Sequence, residues 1–477
     1  MGRLVITQTN KIPREAKSAF VYTISQLFTR GLAIITVPVF TRLMSTEQVG
    51  VVNLYNSWYV ILSVVATLSL TSGGFQLAMK EYKRERNQYM SSVLTITSLM
   101  TLLILGVYVS APSFWEKMLG LPKELIMLMI VGLGVAPAHD FWMARQRYEY
   151  KYKLSGLISI ITALVASILS VVVVVLLVSK KSLFVAEGRL FANYIIIYGV
   201  AGIIWLYIMF KGKTFFNIRY WKFSLSLSLP LVGYAIAKQV LDVSDRQMIS
   251  KMVGNSEVGI YGTLYTVSSI SLIVWNAINS SFIPYLYKHI ENEESHKKLQ
   301  KISSLLLGIY ACVAILMTFL APEIVKILAT DEYYEAIYIM PPIAAGVFLT
   351  SVSHMYSNIL VFYKKTSVIM MSSAIAAISN LVLNYFFIKS FGYQAAAYTT
   401  LFSYIILAVL EGWYAKKASK RETQVYNNKR ILLLSVITIV ISMCGMILYK
   451  TFVARYIACI IVFSIAIVML MAKKHEE

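Results

Sequence analysis

Charged side chains are scarce in this sequence of 477 residues. Asp, Glu, Lys and Arg make up 14% of it, whereas a soluble domain carries about 25%. Hydrophobic residues make up 58%, and the mean hydropathy is +0.68. So few charges cannot cover the water-facing surface of a chain of this length. The composition therefore excludes a large soluble protein and indicates a membrane protein.

Cysteine and long polar segments are also in short supply. The three cysteines fall inside apolar runs and show neither metal-ligand spacing nor the pattern of a disulfide framework. The largest polar stretches, 288–301 and 416–430, are too short for a soluble domain, and no Walker-type phosphate loop is present. The sequence therefore predicts no metal site, no bound cofactor and no ATP hydrolysis by this chain.

Acidic residues are the scarcer of the two charges. There are 23 Asp and Glu against 44 Lys and Arg, which gives a formal net charge of +21. In a soluble protein this excess would indicate nucleic-acid binding. Here the charges lie in short gaps between apolar runs, which is typical of the positive-inside signal of membrane proteins. We therefore expect the lipid bilayer, and no nucleic acid, as a partner.

Fourteen apolar runs approach the length of about 20 residues that spans a bilayer. The first run follows a polar segment and is too long for the apolar part of a signal peptide, so we expect it to remain as a span. Backbone in lipid must satisfy its own hydrogen bonds, and the predicted fold is therefore an all-α integral membrane protein. The runs are 18–40, 51–72, 91–111, 123–142, 155–178, 189–210, 224–243, 259–283, 302–321, 336–361, 367–388, 393–414, 431–449 and 454–472.

Lys and Arg are distributed unequally between alternate loops. If the N-terminus is cytoplasmic, the inside segments hold 30 of them and the outside loops hold 12. The remaining two, Arg30 and Lys238, lie within spans. This bias predicts that both termini are cytoplasmic.

A stretch near the start of the chain recurs in its middle. Within 36–55, Arg42, Gly50 and Tyr55 match residues 204, 209 and 210 positions further on. The matched residues are Arg246, Gly259 and Tyr265.

Spans 1–6 thus correspond in order to spans 7–12, and both sets begin on the same side. We predict two six-helix bundles, 1–217 and 218–418, related by a parallel pseudo-two-fold axis around a central cavity. An additional helix pair at 419–477 lies outside the repeat. Transporters of this build bind substrate between the repeats and alternate access to it by rocking the two halves.

The repeated segments resemble the polysaccharide-transport flippases of the multidrug/oligosaccharidyl-lipid/polysaccharide exporter superfamily. The six-plus-six arrangement extends the resemblance over most of the chain. It is carried by Pro38, Phe40, Thr41, Arg42, the turn at 47–50, Leu54, Tyr55, Trp58, Asp245, Arg246 and the segment 257–261.

This resemblance implies a non-enzymatic flippase in the bacterial plasma membrane. Its substrate would be an undecaprenyl-pyrophosphate-linked repeat unit of O-antigen, capsule or exopolysaccharide, moved from the inner to the outer leaflet. A polysaccharide polymerase and other assembly proteins would be partners, and H⁺ or Na⁺ coupling stays open. Many oligosaccharide flippases have twelve spans and lipid II flippases have fourteen, which leaves a lipid II flippase as an alternative.

A cation-coupled multidrug exporter of the same superfamily is a further alternative, and Asp242 keeps it open. However, span 1 contains no acidic residue, and its buried charge is Arg30. A cationic cargo would favour carboxylates, so this arginine favours an anionic cargo. A membrane enzyme would need a sizeable external loop with paired acids or arginines, and the external loops are short.

Two cations inside spans are candidates for binding a pyrophosphate. Arg30 lies near the middle of span 1, where an unpaired charge costs at least about 2.5–3.5 kcal/mol. It is either a cavity cation or half of a structural ion pair, unless span 1 is misplaced. Lys238 in span 7 is either a second cavity cation or the partner of Asp242, four residues further on.

Other candidates lie near the ends of spans. Arg42 and Arg246 could receive the pyrophosphate at an outer gate, close that gate by pairing with Glu47 and Asp245, or only fix the depth of their helices. His354, in the middle of span 10, is either a proton-coupling site or a core histidine. A third group, at the inner end of span 4, marks either the point where the phosphate enters from the cytoplasm or an ordinary basic anchor: His139, Asp140, Arg145 and Arg147.

Overall fold

The computed structural model of the protein describes residues 14–72, 74–419 and 424–474. The regular elements in these ranges are all helices, which confirms the predicted all-α fold. The helices of the first half of the chain are α1 (Arg14–Leu43), α2 (Thr46–Thr67), α3 (Phe75–Glu81), α4 (Arg86–Ser110), α5 (Pro112–Leu119), α6 (Lys123–Tyr148), α7 (Tyr152–Ser179) and α8 (Val185–Gly212).

Eleven further α-helices follow in the described part of the chain. They are α9 (Ile218–Met252), α10 (Asn255–Ser268), α11 (Ser271–His289), α12 (His296–Phe319), α13 (Ala321–Leu328), α14 (Asp331–Tyr334), α15 (Met340–Phe362), α16 (Thr366–Phe391), α17 (Ala395–Ser419), α18 (Asn428–Gly445) and α19 (Phe452–Lys474). The structure has fourteen helical segments long and apolar enough to cross a membrane, and each corresponds to a predicted span.

Two details of the spans differ from the prediction. Helix α9 extends well beyond the predicted 224–243, because polar turns at both ends continue the helix outside the apolar run. The eighth apolar run forms two helices and not one, because a turn at Ser269 and Ile270 separates α10 from α11. The hydroxyl groups of Ser271 and Tyr310 lie 3.1 Å apart next to this turn, so each of these two side chains has a polar partner inside the protein.

Helix α2 begins at a capping box. The Ser45 hydroxyl accepts a hydrogen bond from the Gln48 amide, and the Gln48 side chain accepts one from the Ser45 amide. These two bonds satisfy amides that have no partner within the helix. They fix the short turn between α1 and α2 and therefore the direction in which α2 leaves it.

Helices α2 and α10 meet through a pair of glycines that the sequence matches to each other. A Cβ on Gly50 would lie 1.7 Å from the carbonyl oxygen of Asn255, and one on Gly259 would lie 2.0 Å from that of Thr46. The hydroxyl groups of Thr46 and Ser256 are 2.6 Å apart at the same place. We call Thr46, Gly50, Ser256 and Gly259 the glycine contact. It joins the two halves of the chain at one end of the bundle.

Other contacts close the same end. Thr41 and Arg42, at the end of α1, donate hydrogen bonds to the carbonyl oxygens of Leu328 and Ile327 in the second half, at 2.8 and 2.9 Å. The opposite end of the bundle, which we call the basic end, holds Arg145 and the start of α9. There the Tyr89 and Ser224 hydroxyl groups lie 2.7 Å apart, so the first turns of α9 pack on the first half.

Two further features favour the predicted repeat. The short helices α5 and α13 both begin at an Ala-Pro pair, and Pro112 and Pro322 are 210 positions apart, the same offset as Tyr55 and Tyr265. Neither helix was expected from the sequence. Paired tyrosine hydroxyl groups also occur in both halves, Tyr55 with Tyr198 at 3.3 Å and Tyr265 with Tyr404 at 3.1 Å. The pseudo-two-fold axis itself stays a prediction.

Substitution of Gly50 by valine tests the glycine contact. The added side chain must separate α2 from α10, and overpacking of this kind costs about 1–3 kcal/mol, or at least about a fivefold shift toward the separated state. In a chain whose three native cysteines are replaced, Thr46→Cys and Ser256→Cys should cross-link on oxidation, and Gly50→Val should reduce the yield.

Gly106→Val is the matched control, because a Cβ at Gly106 meets no atom within 4 Å. It should leave the cross-link intact. Equal cross-linking in the Gly50 and Gly106 variants would contradict a contact that depends on the missing side chain.

Candidate functional site

Helix α9 places four charged side chains on one face. Lys238, Asp242, Asp245 and Arg246 are spaced by four, three and one residues, so they point toward the helices that pack on that side. These helices are α10, α15 and α17. The result is a polar cluster inside the second half of the protein, in the middle of an apolar environment.

One end of this cluster is a buried ion pair. Asp245 is 1% exposed; it accepts a hydrogen bond from the Tyr261 hydroxyl at 2.5 Å and lies 3.3 Å from the Arg246 guanidinium. The same guanidinium donates to the carbonyl oxygen of Asp242 at 2.9 Å and lies over the ring of Tyr265. Arg246 is therefore neutralised within the protein, in contrast to its matched residue Arg42.

Asp242 connects this pair to α17. Its carboxylate accepts a hydrogen bond from the Tyr404 hydroxyl at 2.9 Å, and Tyr404 lies 3.1 Å from Tyr265. Lys238 has no carboxylate oxygen within 4 Å among the residues that the structure describes. The predicted local pair of Lys238 with Asp242 is thus not formed as a direct contact, although both side chains line the same cavity.

Glu411 on α17 completes the cluster and was missed by the sequence analysis. It is 1% exposed and accepts hydrogen bonds from the hydroxyl groups of Ser353 and Ser357, the latter at 2.9 Å. A carboxylate inside the apolar run 393–414 was the available signal. It lies close to the end of that run, which made it similar to an ordinary interfacial residue.

A small cavity of about 20 Å³ joins these groups, which is room for about one water molecule. Lys238, Asp242, His354 and Glu411 all line it. Counting the pair of Asp245 and Arg246, three carboxylates meet two fixed cations. A cluster with one carboxylate in excess can take up a proton, which is the chemistry expected of ionisable groups inside a membrane protein.

Arg30 lies outside this cluster, on the first half. It is exposed, and in the described part of the chain it makes no hydrogen bond or ion pair. Thr41 follows it by eleven residues, about three turns, and therefore lies on the same side of α1. Because Thr41 contacts Leu328, this side faces the second half of the protein. Exposed apolar side chains on the other side of α1 include Ile24, Phe28 and Ile35.

The remaining predicted residues are not gathered into one site. Arg42 and Glu47 are both exposed and form no ion pair with each other. At the basic end, His139 lies 3.8 Å from Asp140, whereas Arg145 turns away to Glu149 and Asn87, at 2.9 and 2.6 Å. Arg147 is exposed. A phosphate-binding group made of these residues stays a prediction.

Comparison with known proteins identifies the family. The model of the family described as "Polysaccharide biosynthesis protein" matches residues 16–290, more than half of the chain. The chain belongs to this family. A second model, MatE, matches residues 230–386, and together the two confirm the predicted membership of the exporter superfamily.

One curated relative is the "Probable low-salt glycan biosynthesis flippase Agl15" of Haloferax volcanii. It is 24% identical over 418 residues, which cover 84% of this chain and 83% of the relative. An uncharacterised membrane protein of Methanocaldococcus jannaschii is 25% identical over 51% of this chain and 48% of its own length. The chain is therefore similar to a flippase along most of its length.

Two solved structures show the same fold. Lipid II flippase MurJ, in an inward closed conformation, aligns with a TM-score of 0.67 and 15% identity over 95% of this chain and 99% of its own. A multidrug resistance MATE transporter in an inward-facing conformation aligns with a TM-score of 0.64 and 12% identity, over 85% of this chain and 100% of its own.

The residue ranges matched by the two family models include only part of the polar cluster. The polysaccharide biosynthesis match includes Arg30 and the charged face of α9, whereas Glu411 lies outside both matched ranges. The contribution of α17 to the cluster is therefore known from the structure and not from the family matches.

The cluster predicts strong coupling between Lys238 and Glu411. Lys238→Met leaves the carboxylates of the cavity with too little positive charge. It should destabilise the protein by less than the roughly 3–5 kcal/mol that breaking a direct buried ion pair costs, because Lys238 is not in direct contact with a described carboxylate. Adding Glu411→Gln removes one of those carboxylates. The double variant should therefore recover part of the loss, with a coupling energy of about 0.5–3 kcal/mol in thermal unfolding of the purified protein.

Lys251→Met is the control on the same helix, since Lys251 is exposed. It should change stability by no more than about 0.5 kcal/mol. Strict additivity of the Lys238 and Glu411 substitutions would show that the two side chains do not interact.

Proposed function

We propose that the protein is a flippase for an undecaprenyl-pyrophosphate-linked oligosaccharide repeat unit. It moves this lipid from the inner to the outer leaflet of a bacterial plasma membrane by alternating access, with both termini in the cytoplasm. Membership of the polysaccharide biosynthesis family and similarity to a glycan flippase over most of the chain support this proposal.

The pyrophosphate is the part of the substrate that cannot cross the hydrocarbon layer without partners in the protein. The polyprenyl tail can stay in lipid, but the anionic group must cross a hydrocarbon layer of about 30 Å. Its charges require cations in a polar environment along the way, and arginine is well suited because it binds phosphate oxygens in pairs. A flippase for such a lipid therefore needs a cation within a span that is not already neutralised.

The position of Arg30, an unpaired cation within a span, is the observation that supports the proposal most. It lies within a span on the side of α1 that faces the second half, and no described carboxylate pairs with it. Arginine exposed to lipid at that depth would be strongly unfavourable, so an exposed Arg30 favours a water-filled cleft between the halves. The buried arginine of the second half, Arg246, is by contrast already paired with Asp245.

A second helix offers polar groups for the glycan. Helix α11 carries exposed polar side chains within its apolar run, namely Asn276, Ser280 and Ser281. Side chains of this type bind sugar hydroxyl groups. The Ser280 and Ser281 hydroxyls donate to carbonyl oxygens of α11, which leaves their oxygen atoms free to accept a further hydrogen bond. We place them with Arg30 on the walls of the cleft. Since the glycine contact closes one end, we propose that the cleft opens toward the basic end, beside the first turns of α9 that pack on the first half. This end is the cytoplasmic side in the predicted topology.

Depletion of the protein in its native host, with leaflet-resolved labelling of lipid-linked sugars, tests the proposal. Undecaprenyl-linked repeat units should accumulate on the inner leaflet while lipid II keeps its normal distribution. Accumulation of lipid II would assign the protein to the peptidoglycan precursor instead. Unchanged distribution of every undecaprenyl-linked intermediate would contradict a flippase of either kind.

Arg30→Gln tests the role of the cleft cation. The variant should fold and insert, since Arg30 has no partner within the described protein, but transport should fall by at least about tenfold because a charge-assisted contact of about 1.5–3 kcal/mol is lost. The measurement is the outer-leaflet fraction of labelled repeat units in cells carrying only the variant.

Lys389→Gln removes the same charge from an exposed position at the end of α16 and serves as the control. Its transport should equal that of the unmodified protein. Full transport by Arg30→Gln at equal protein level would remove Arg30 from the substrate path.

A further inference from the structure

A basic crevice lies at the surface of the first half, away from the cleft. It opens between the basic ends of α4, α6 and α8 and has a volume of about 60 Å³. Three cationic side chains and one carboxylate line it: Arg145, Lys151, Lys211 and Glu149. The crevice therefore has a net positive charge, and it uses none of the residues that we place in the cleft.

The cations are held in place by Glu149. Its carboxylate lies 2.9 Å from Arg145, 3.2 Å from Arg86 and 2.6 Å from Lys151. Burial raises the pKa of Glu149, but the hydrogen bonds from Lys151 and Arg145 outweigh burial, so its pKa lies below the ordinary value. One ionised carboxylate thus positions three cations and cannot neutralise them all.

Lys211 adds a cation that is not engaged by this carboxylate. It is exposed, forms no ion pair with a described residue and lies about 6.0 Å from the ring of Tyr207. Trp142 and Tyr207 line the same crevice, and such aromatic residues are common at the membrane interface.

The surface that continues from the crevice is apolar. Ile203 and Tyr207 precede Lys211 at intervals of four residues and so share one side of α8, and they are 69% and 51% exposed. A Cβ at Gly199, one turn further, would meet no atom within 4 Å. This stripe runs about 18 Å from Lys211 into the hydrocarbon layer. A ligand with a charged head and a long apolar tail fits both parts.

We propose that this crevice binds the phosphate group of an anionic membrane lipid, with an acyl chain along the stripe of α8. Lys211, Lys151 and Arg145 bind the phosphate oxygens. The negative charge of the phosphate then neutralises the positive charge that Glu149 alone does not neutralise. Basic crevices between spans on the side rich in Lys and Arg are suited to such head groups. Occupation of the site stabilises the basic ends of α4, α6 and α8 against one another.

The test is binding of phosphatidylglycerol to the purified full chain, stripped of lipid and measured by native mass spectrometry. Phosphatidylcholine, which has no net charge, and inorganic phosphate, which has no tail, are titrated in parallel. Lys211→Gln should weaken phosphatidylglycerol binding about fivefold, and the double variant with Lys151→Gln about 25-fold. Lys213→Gln removes an exposed charge two residues away, outside the crevice, and should leave binding unchanged.

Two results would overturn the proposal. Equal phosphatidylglycerol binding by the unmodified chain and the double variant, both eluting as monodisperse protein, would place the lipid elsewhere. Inorganic phosphate binding as tightly as phosphatidylglycerol would assign the crevice to a soluble anion. Because neither readout involves transport, failure here leaves the proposed flippase function untouched, and failure of that function leaves the crevice as a lipid site.

Discussion

The high cost of placing a charge in hydrocarbon constrains the rest of this structure. Each charged side chain within a span must find a partner or face water. On α9 the first solution holds, since Asp245 and Arg246 pair and Tyr261 satisfies the carboxylate. On α1, Arg30 is exposed and unpaired among the described residues, which is consistent with a side chain that faces water. The contrast is between a buried ionic cluster in the second half and the exposed, unpaired Arg30 on the first.

In the predicted repeat, the two halves share a framework but differ in chemistry. The paired tyrosines Tyr55 and Tyr198 recur as Tyr265 and Tyr404. At the offset that relates Arg42 to Arg246, however, Pro38 and Thr41 correspond to Asp242 and Asp245. At these matched positions the second half therefore has carboxylates where the first half has none. If the halves rock against each other, a proton taken up by this cluster acts on one half alone.

Hydropathy was sufficient to predict every span, because a run of about 20 apolar residues has few alternatives to a membrane helix. Features that depend on tertiary contacts could not be predicted from the sequence. Helices α5 and α13 are too short for an apolar run, and the turn at Ser269 depends on its surroundings. The site was predictable only in part. Charges within spans indicated Arg30 and α9, but Glu411 lies near the end of its run, and its burial is set by α15.

The central claim is that the cleft beside Arg30 carries a lipid pyrophosphate across the membrane. Reconstitution tests it most directly. Vesicles containing the purified protein and a pyrophosphate-linked oligosaccharide lipid are treated from outside with an enzyme that cleaves the exposed glycan. Nearly all of the lipid should become accessible with the unmodified protein, and the inner-leaflet share should stay protected with Arg30→Gln. If that share stays protected with both proteins, or becomes accessible with both, a role of Arg30 in carrying the pyrophosphate is contradicted.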